Sequence, residues 1–216
     1  MIDYLPVDPA VLLAYALTAL ALVIAPGPGQ ALVLTRTVEA GTRGGLLTSL
    51  GLEIGTLVHT LAAALGLSAI LATSATAYAV VKYAGALYLV VLGALMLWRA
   101  RPSSNAGVVV ERAASGSRLV LHAAMTGVLN PKVAVFFLAF LPQFVRPERG
   151  AVLAQFLVLG LVLSALGLIF DASLAVIAGR ARTRLTGSAV FAAWRERVTG
   201  TVLVGLGLKL ALSDRR

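Results

Sequence analysis

The chain has no cysteine and only two histidines, His59 and His122, among its 216 residues. That excludes disulfides, thiolate metal sites and cysteine nucleophiles, and leaves no histidine pair at metal-ligand spacing. Charge is scarce as well: charged residues make up 12% of the chain against 59% hydrophobic, with a mean hydropathy of +0.94. Soluble domains carry about 25% charged residues, so the composition is that of an integral membrane protein. Phosphate-loop and nucleophile-elbow motifs are missing too, so an enzyme would have little to work with and no cofactor or metal is implied. The opening Met1-Ile-Asp-Tyr-Leu-Pro-Val-Asp8 is acidic and leads into an apolar stretch longer than a signal-peptide core, so the first span is expected to stay in the mature protein.

What charge there is has a sign. The formal net charge is +9 and the pI about 10.8, values that in a soluble protein would suggest nucleic acid. Here the basic residues sit in short connections between apolar segments, where they anchor topology, so nucleic acid is not an expected partner. Six spans are read: Ala10–Thr35, Gly44–Leu71, Tyr78–Trp98, Leu119–Phe144, Ala151–Ala178 and Ala189–Leu212. Most arginines fall in three of the connections: Arg36 and Arg43; Arg99, Arg101, Arg112 and Arg118; Arg180, Arg182, Arg184, Arg195 and Arg197. The positive-inside rule puts these connections in the cytoplasm and both termini outside.

Residues 101–117 carry proline, serine, asparagine and glycine without apolar periodicity, and read as a cytoplasmic linker between halves 1–100 and 118–216. Three spans per half is an odd number, so related halves would lie in opposite orientations, the plan of an inverted-repeat transporter. A weak internal match supports this: Lys82-Tyr-Ala-Gly85 and Arg197-Val-Thr-Gly200 each precede an apolar run that ends in glycine.

The chain's most informative stretch is Ala25-Pro26-Gly27-Pro28-Gly29, a helix-breaking run inside the uncharged segment from Pro9 to Thr35. Unpaired backbone groups in lipid cost several kcal/mol each, so such a break survives only against protein or a watery cavity. A helix restarting at Pro28 offers free N–H groups and a positive dipole end to an anion. The competing reading is a proline kink that only packs. The fourth span decides between them, because Leu129-Asn130-Pro131-Lys132 breaks a helix in the same way, with Asn130 placed to cap and Pro131 at a first helical position. Broken helices at corresponding positions of two halves point to a transporter's binding site.

Lys132 itself sits mid-span, where a lysine costs roughly 2.5–3.5 kcal/mol on insertion scales and must face a partner or water. It either helps hold a substrate carboxylate or pairs with an intramembrane acid. Glu53 and Asp171 are the candidate acids, about 14 and 10 Å from the cytoplasmic ends of their helices at 1.5 Å per residue, so the two carboxylates can share a level. Either suits a coupling proton or a structural ion pair. Gly160, Ser164, Gly167, Asp171 and Ala175 form one small or polar stripe on the fifth span. The second span carries two: Ser49, Glu53, Thr56 and Thr60, and nearly opposite them Gly51, Gly55, His59 and Ala62. It is expected to be enclosed by neighbours on both sides, with the small residues as packing seams. His59 is a further candidate for relaying protons, or is simply hydrogen-bonded within the bundle.

Together these motifs resemble the LysE/RhtB family of amino-acid exporters: Pro-Gly-Pro-Gly at 26–29, Gly41-Thr-Arg-Gly-Gly45, Lys82-Tyr-Ala-Gly-Ala-Leu-Tyr-Leu, and Asn130-Pro-Lys132 followed by Phe136-Phe-Leu-Ala-Phe-Leu-Pro-Gln-Phe144. The resemblance runs from the first span to the sixth. It implies a multi-pass bacterial inner-membrane exporter of amino acids or close derivatives, such as homoserine, threonine, leucine or lysine, driven by the proton motive force. Pro26, Gly27, Pro28, Gly29, Asn130, Pro131 and Lys132 would form the substrate site with Glu53, and Asp171 would carry protons, with Glu53 and His59 as further candidates. The expected partners are an amino acid, protons and the bilayer, and a homo-oligomer is compatible with the sequence. The alternatives are export of another small cargo, a metal cation or metabolite, on the same scaffold, or a non-transporting membrane scaffold.

Overall fold

A computed structural model describes residues 6–25, 27–67, 75–99 and 116–180, together with single helical positions at 197, 201, 204, 205, 207, 208, 211 and 212. All regular structure among the described residues is helical. Helix α1 (Pro9–Ile24) starts where the Asp8 carboxylate accepts a 2.8 Å hydrogen bond from Ala10 N, with Pro9 at the position where a missing N–H costs nothing. Helix α2 (Pro28–Ala62) starts after extended Gly27, and its first internal bond runs from Ala31 N to Gly27 O. It passes into a π-turn at Ala63–Leu67. Helix α3 is Ala75–Arg99, α4 is Gly116–Val128, α5 is Pro131–Val135 and α6 is Val152–Arg180. Between α5 and α6 the chain runs through a π-turn, Phe136–Phe140, and 3-10 turns at Leu141–Phe144 and Pro147–Arg149.

The long α2 is two arms. At Gly41 the backbone takes φ +74° and ψ −175°, a region that is essentially glycine's alone. Thr37 and Gly45 touch across this point. In a straight helix, residues eight apart would stand about 12 Å apart. The arms therefore fold back on each other as an antiparallel hairpin, with Gly29 against Leu52 at the far end. The expected first and second spans, Ala10–Thr35 and Gly44–Leu71, are accordingly joined by a single-glycine turn; residues 68–71 lie outside the described set.

The second arm of α2 is the centre of the bundle. On one side α6 packs antiparallel to it, Gly160 facing Thr60, Gly167 facing Glu53, Ala175 facing Gly45 and Gly179 facing Thr42. On the other side α4 packs parallel to it, with Gly116 at Leu47, Ala123 at Gly51 and Gly127 at Gly55. The approach at the last pair is so close that a methyl on Gly55 would sit 2.6 Å from the Gly127 carbonyl carbon. The two stripes on this helix thus meet two different neighbours, as their spacing implies.

Larger side chains fill the end near the start of α1. Tyr15, Phe136, Phe137, Phe140, Leu141 and Phe156 are all buried there, and the Tyr15 ring meets Phe144 edge-on at 5.2 Å. A buried Gln155 fastens the neighbouring loop: its Oε1 accepts from Arg146 N at 2.8 Å and its Nε2 donates to Arg146 O and Gly150 O. Arg149 reaches Asp8 at 3.1 Å, tying this loop to the start of α1. Leu13, Leu17, Ile24, Leu61, Leu121, Leu161, Ile169 and Ile177 point outward, an apolar belt suited to lipid.

By length and composition the stretch Pro28–Leu67, which holds the hairpin, and Val152–Arg180 each contain a window able to cross a membrane, and Gly116–Val128 with Pro131–Phe144, bent by 45°, qualifies as a third if taken as one broken span. Of the expected 101–117 linker, Gly116 and Ser117 form the first turn of α4, and the rest lies outside the described residues. Most of the expected sixth span, Ala189–Leu212, also lies outside them, but Gly207 packs against Ala86 and Val90 of α3.

Candidate functional site

The two helix breaks face one cavity. Its lining includes Leu22 and Val23 before the first break, Gly27, Gly29 and Gln30 after it, Gly127, Asn130, Lys132 and Val133 around the second, Leu52, Glu53 and Thr56 from the second arm of α2, and Leu163, Gly167 and Asp171 from α6. Its enclosed volume is about 70 Å³.

The first break is built by what proline and glycine withhold. The last hydrogen bond of α1 runs from Ala25 N to Ala21 O, and beyond it no helical N–H is in line for the terminal carbonyls. At the start of α2, the N–H groups of Gly29 and Gln30 precede the first internal bond. The Gln30 side chain bridges the gap, its Nε2 donating to Val23 O. The second break is capped locally: Asn130 Oδ1 accepts from Lys132 N at 3.1 Å and Asn130 N donates to Gly127 O.

Lys132 joins the two. Its ammonium donates to Ala25 O at 2.5 Å, a contact spanning 107 residues of sequence, and its side chain runs along Gly27, with Nζ 3.4 Å from where a β-carbon there would stand. A cation at the C-terminal end of α1 is favoured by the helix dipole. The ammonium is thus bonded to a backbone carbonyl, a partner that the sequence reading did not name. Asp171 faces Lys132 across the cavity, with no direct ion pair between them.

Opposite lies an acidic pole. Glu53 and Asp171 are both buried, and a β-carbon on Gly167 would meet Glu53 Oε1 at 2.5 Å. Ser164 and Thr56 flank the Glu53 carboxylate. Glu53 Oε2, Asp171 Oδ1 and Gln30 Oε1 are buried without a hydrogen-bond partner among the described residues. Unpaired buried acceptors are uncommon, and three around one cavity amount to an unmet demand for donors.

Six of the residues singled out in the sequence therefore meet here: Gly27, Gly29, Glu53, Asn130, Lys132 and Asp171. Pro28 and Pro131 are exposed at the starts of their helices and do not line the cavity. Pro26 lies outside the described residues. His59 is apart from the cavity, in the seam between α2 and α4, with Nε2 3.0 Å from Val128 O and its ring stacked on Phe137 at 5.8 Å. Sequence reasoning passed over Gln30. Its signal was a glutamine third in a helix that begins after a break, where such side chains turn back toward the helix start.

Apolar helices broken to face a cavity with groups of both charge signs are an arrangement suited to a membrane carrier. The LysE type translocator family model matches residues 20–214, and the chain belongs to that family. It is 32% identical over 174 residues to a homoserine/homoserine lactone efflux protein of Salmonella typhimurium, covering 81% of this chain and 83% of that one. It is 29% identical over 201 residues to a leucine efflux protein of Enterobacter sp. strain 638, covering 91% and 93%. An uncharacterized membrane protein of Vibrio cholerae is 38% identical over 154 residues, covering 71% of this chain and 74% of its own. No solved structure matches.

Proposed function

We propose that this protein exports small amino acids or close derivatives across the bacterial inner membrane, driven by protons through alternating access. The observation that carries the reading is the meeting of two broken helices, one buried cation and two buried carboxylates in a single cavity. An amino acid is a zwitterion, and the cavity has a pole for each end. The substrate carboxylate goes to Lys132 and the N–H groups at the start of α2, and the ammonium to Glu53 and Asp171. Amino-acid efflux in the named relatives supports this choice of cargo.

Proton coupling follows from competition. A carboxyl that holds a proton has lost its charge and much of its hold on an ammonium, so protonation of Asp171 or Glu53 from outside releases substrate and resets the site. The carrier is built as six spans in two inverted halves, both termini outside. Support comes from the antiparallel packing of the second arm of α2 on α6, the helices that follow the two breaks, as a two-fold axis in the membrane plane requires.

Efflux of preloaded labelled amino acids from proteoliposomes, with an imposed proton gradient and after its collapse, tests the reading. Gradient-dependent efflux in the wild type, lost in Lys132→Ala and freed from the gradient in Asp171→Asn, is expected. Efflux no faster than from empty vesicles with correctly inserted protein would refute it.

A further inference from the structure

Gln30 is 8% exposed and lines the cavity. Its Nε2 is committed to Val23 O across the break, which fixes the amide's orientation, since the reversed amide would set two acceptors against each other. Its Oε1 is therefore held as an acceptor, buried and unpartnered among the described residues. The cavity's other unpartnered acceptors, Glu53 Oε2 and Asp171 Oδ1, belong to carboxylates. A ligand ammonium is attracted to a carboxylate by its full opposite charge as well as by the hydrogen bond, so it goes to the carboxylates. That leaves the neutral amide oxygen for a neutral donor.

We propose that Gln30 is a specificity-determining residue of this carrier: its side-chain oxygen accepts a hydrogen bond from a hydroxyl on the transported amino acid's side chain, so the cavity favours short hydroxylated amino acids over aliphatic ones of equal size. The inference rests on the proposed export function and deepens it. A site built around a hydroxyl rejects the isostere that lacks one, because the site's own polar group is then left unpaired, whereas an apolar pocket separates the two only weakly.

The test compares homoserine with norvaline, in which a methyl replaces the hydroxyl, in proteoliposomes of the full chain. For the wild type, Vmax/KM for homoserine exceeds that for norvaline by at least about tenfold. In Gln30→Met the ratio falls to near one, homoserine efflux losing more than norvaline efflux, and a monodisperse elution profile in detergent checks that the variant is folded. If that variant does not assemble, threonine against its isostere valine in the wild type gives a second reading, with the same preference expected. A wild-type ratio near one in both pairs, or a ratio unchanged in Gln30→Met, overturns the inference and leaves amino-acid export standing. A wild type that moves no amino acid overturns the export reading and this inference with it.

Discussion

The two helix breaks solve one problem in different ways. The break at Asn130 is satisfied locally: the asparagine side chain caps the helix two residues on, and the backbone on either side is bonded within three or four residues. The break between Ala25 and Pro28 has no side-chain cap, and its neighbouring carbonyls are met from a distance, Val23 O by Gln30 and Ala25 O by Lys132. A locally capped break keeps its shape whatever fills the cavity. A break held by side chains that also line the cavity does not, because any ligand that draws Lys132 or Gln30 away also unties the end of α1. Under the proposed function, the second break would be a fixed seat and the first the part that substrate moves.

Lys132→Ala is the sharpest way to break this contrast, since it removes the cavity's cation and the donor to Ala25 O together. Efflux is expected to vanish, and stability to fall by about 1–3 kcal/mol for the orphaned carbonyl. Lys132→Arg should not rescue transport, because a planar guanidinium replaces the compact ammonium that donates to Ala25 O. Gly41→Ala is expected to cost about 1–3 kcal/mol in thermal unfolding through its backbone alone, as nothing lies within 4 Å of the added methyl. Its substrate preference should match the wild type, since the turn is remote from both breaks. Asn130→Ala should cost about 1 kcal/mol, the usual worth of a cap, with a smaller fall in efflux than Lys132→Ala. Equal losses from the two would erase the distinction between seat and moving part.

The smallest effect lies outside the membrane. The Ala10 N–H, with Arg149 assisting, holds the Asp8 carboxyl below its ordinary range despite an opposing desolvation. A carboxyl lowered in the folded state stabilises above its unfolded pKa, and that contribution is lost as pH falls through the lowered folded value. Asp8→Asn should therefore change thermal stability slightly at neutral pH and not at all in strong acid, with the difference shrinking in salt.

The sequence made the two breaks legible because proline and glycine act on their own backbone, and no neighbour is needed to read them. The stripes on α2 and α6 were legible for a similar reason, since helical periodicity alone says which residues share a face. Contacts to backbone were not. Lys132 was read as holding either a substrate carboxylate or an acid because side-chain charge is visible in a sequence, whereas a carbonyl freed by a helix end 107 residues away is not. Gln30 was missed on the same ground, its partner being Val23 O across the break. His59 shows the limit of a stripe, which places a residue on a face without saying whether that face meets a cavity or a seam. The π-turns at Ala63–Leu67 and Phe136–Phe140 were not read from the sequence.

The absence of cysteine makes the central claim directly measurable. Val133→Cys puts a thiol in the cavity wall beside Lys132, and Arg43→Cys puts one on an exposed position away from it. Labelling by a water-soluble thiol reagent is followed in membranes with and without saturating amino acid. Slower labelling of Val133→Cys by a transported amino acid, with Arg43→Cys unchanged, is the predicted result. Val133→Cys labelled equally fast with and without an amino acid that the variant still transports would mean that substrate binds elsewhere, and that the cavity between the two breaks is not the transport site.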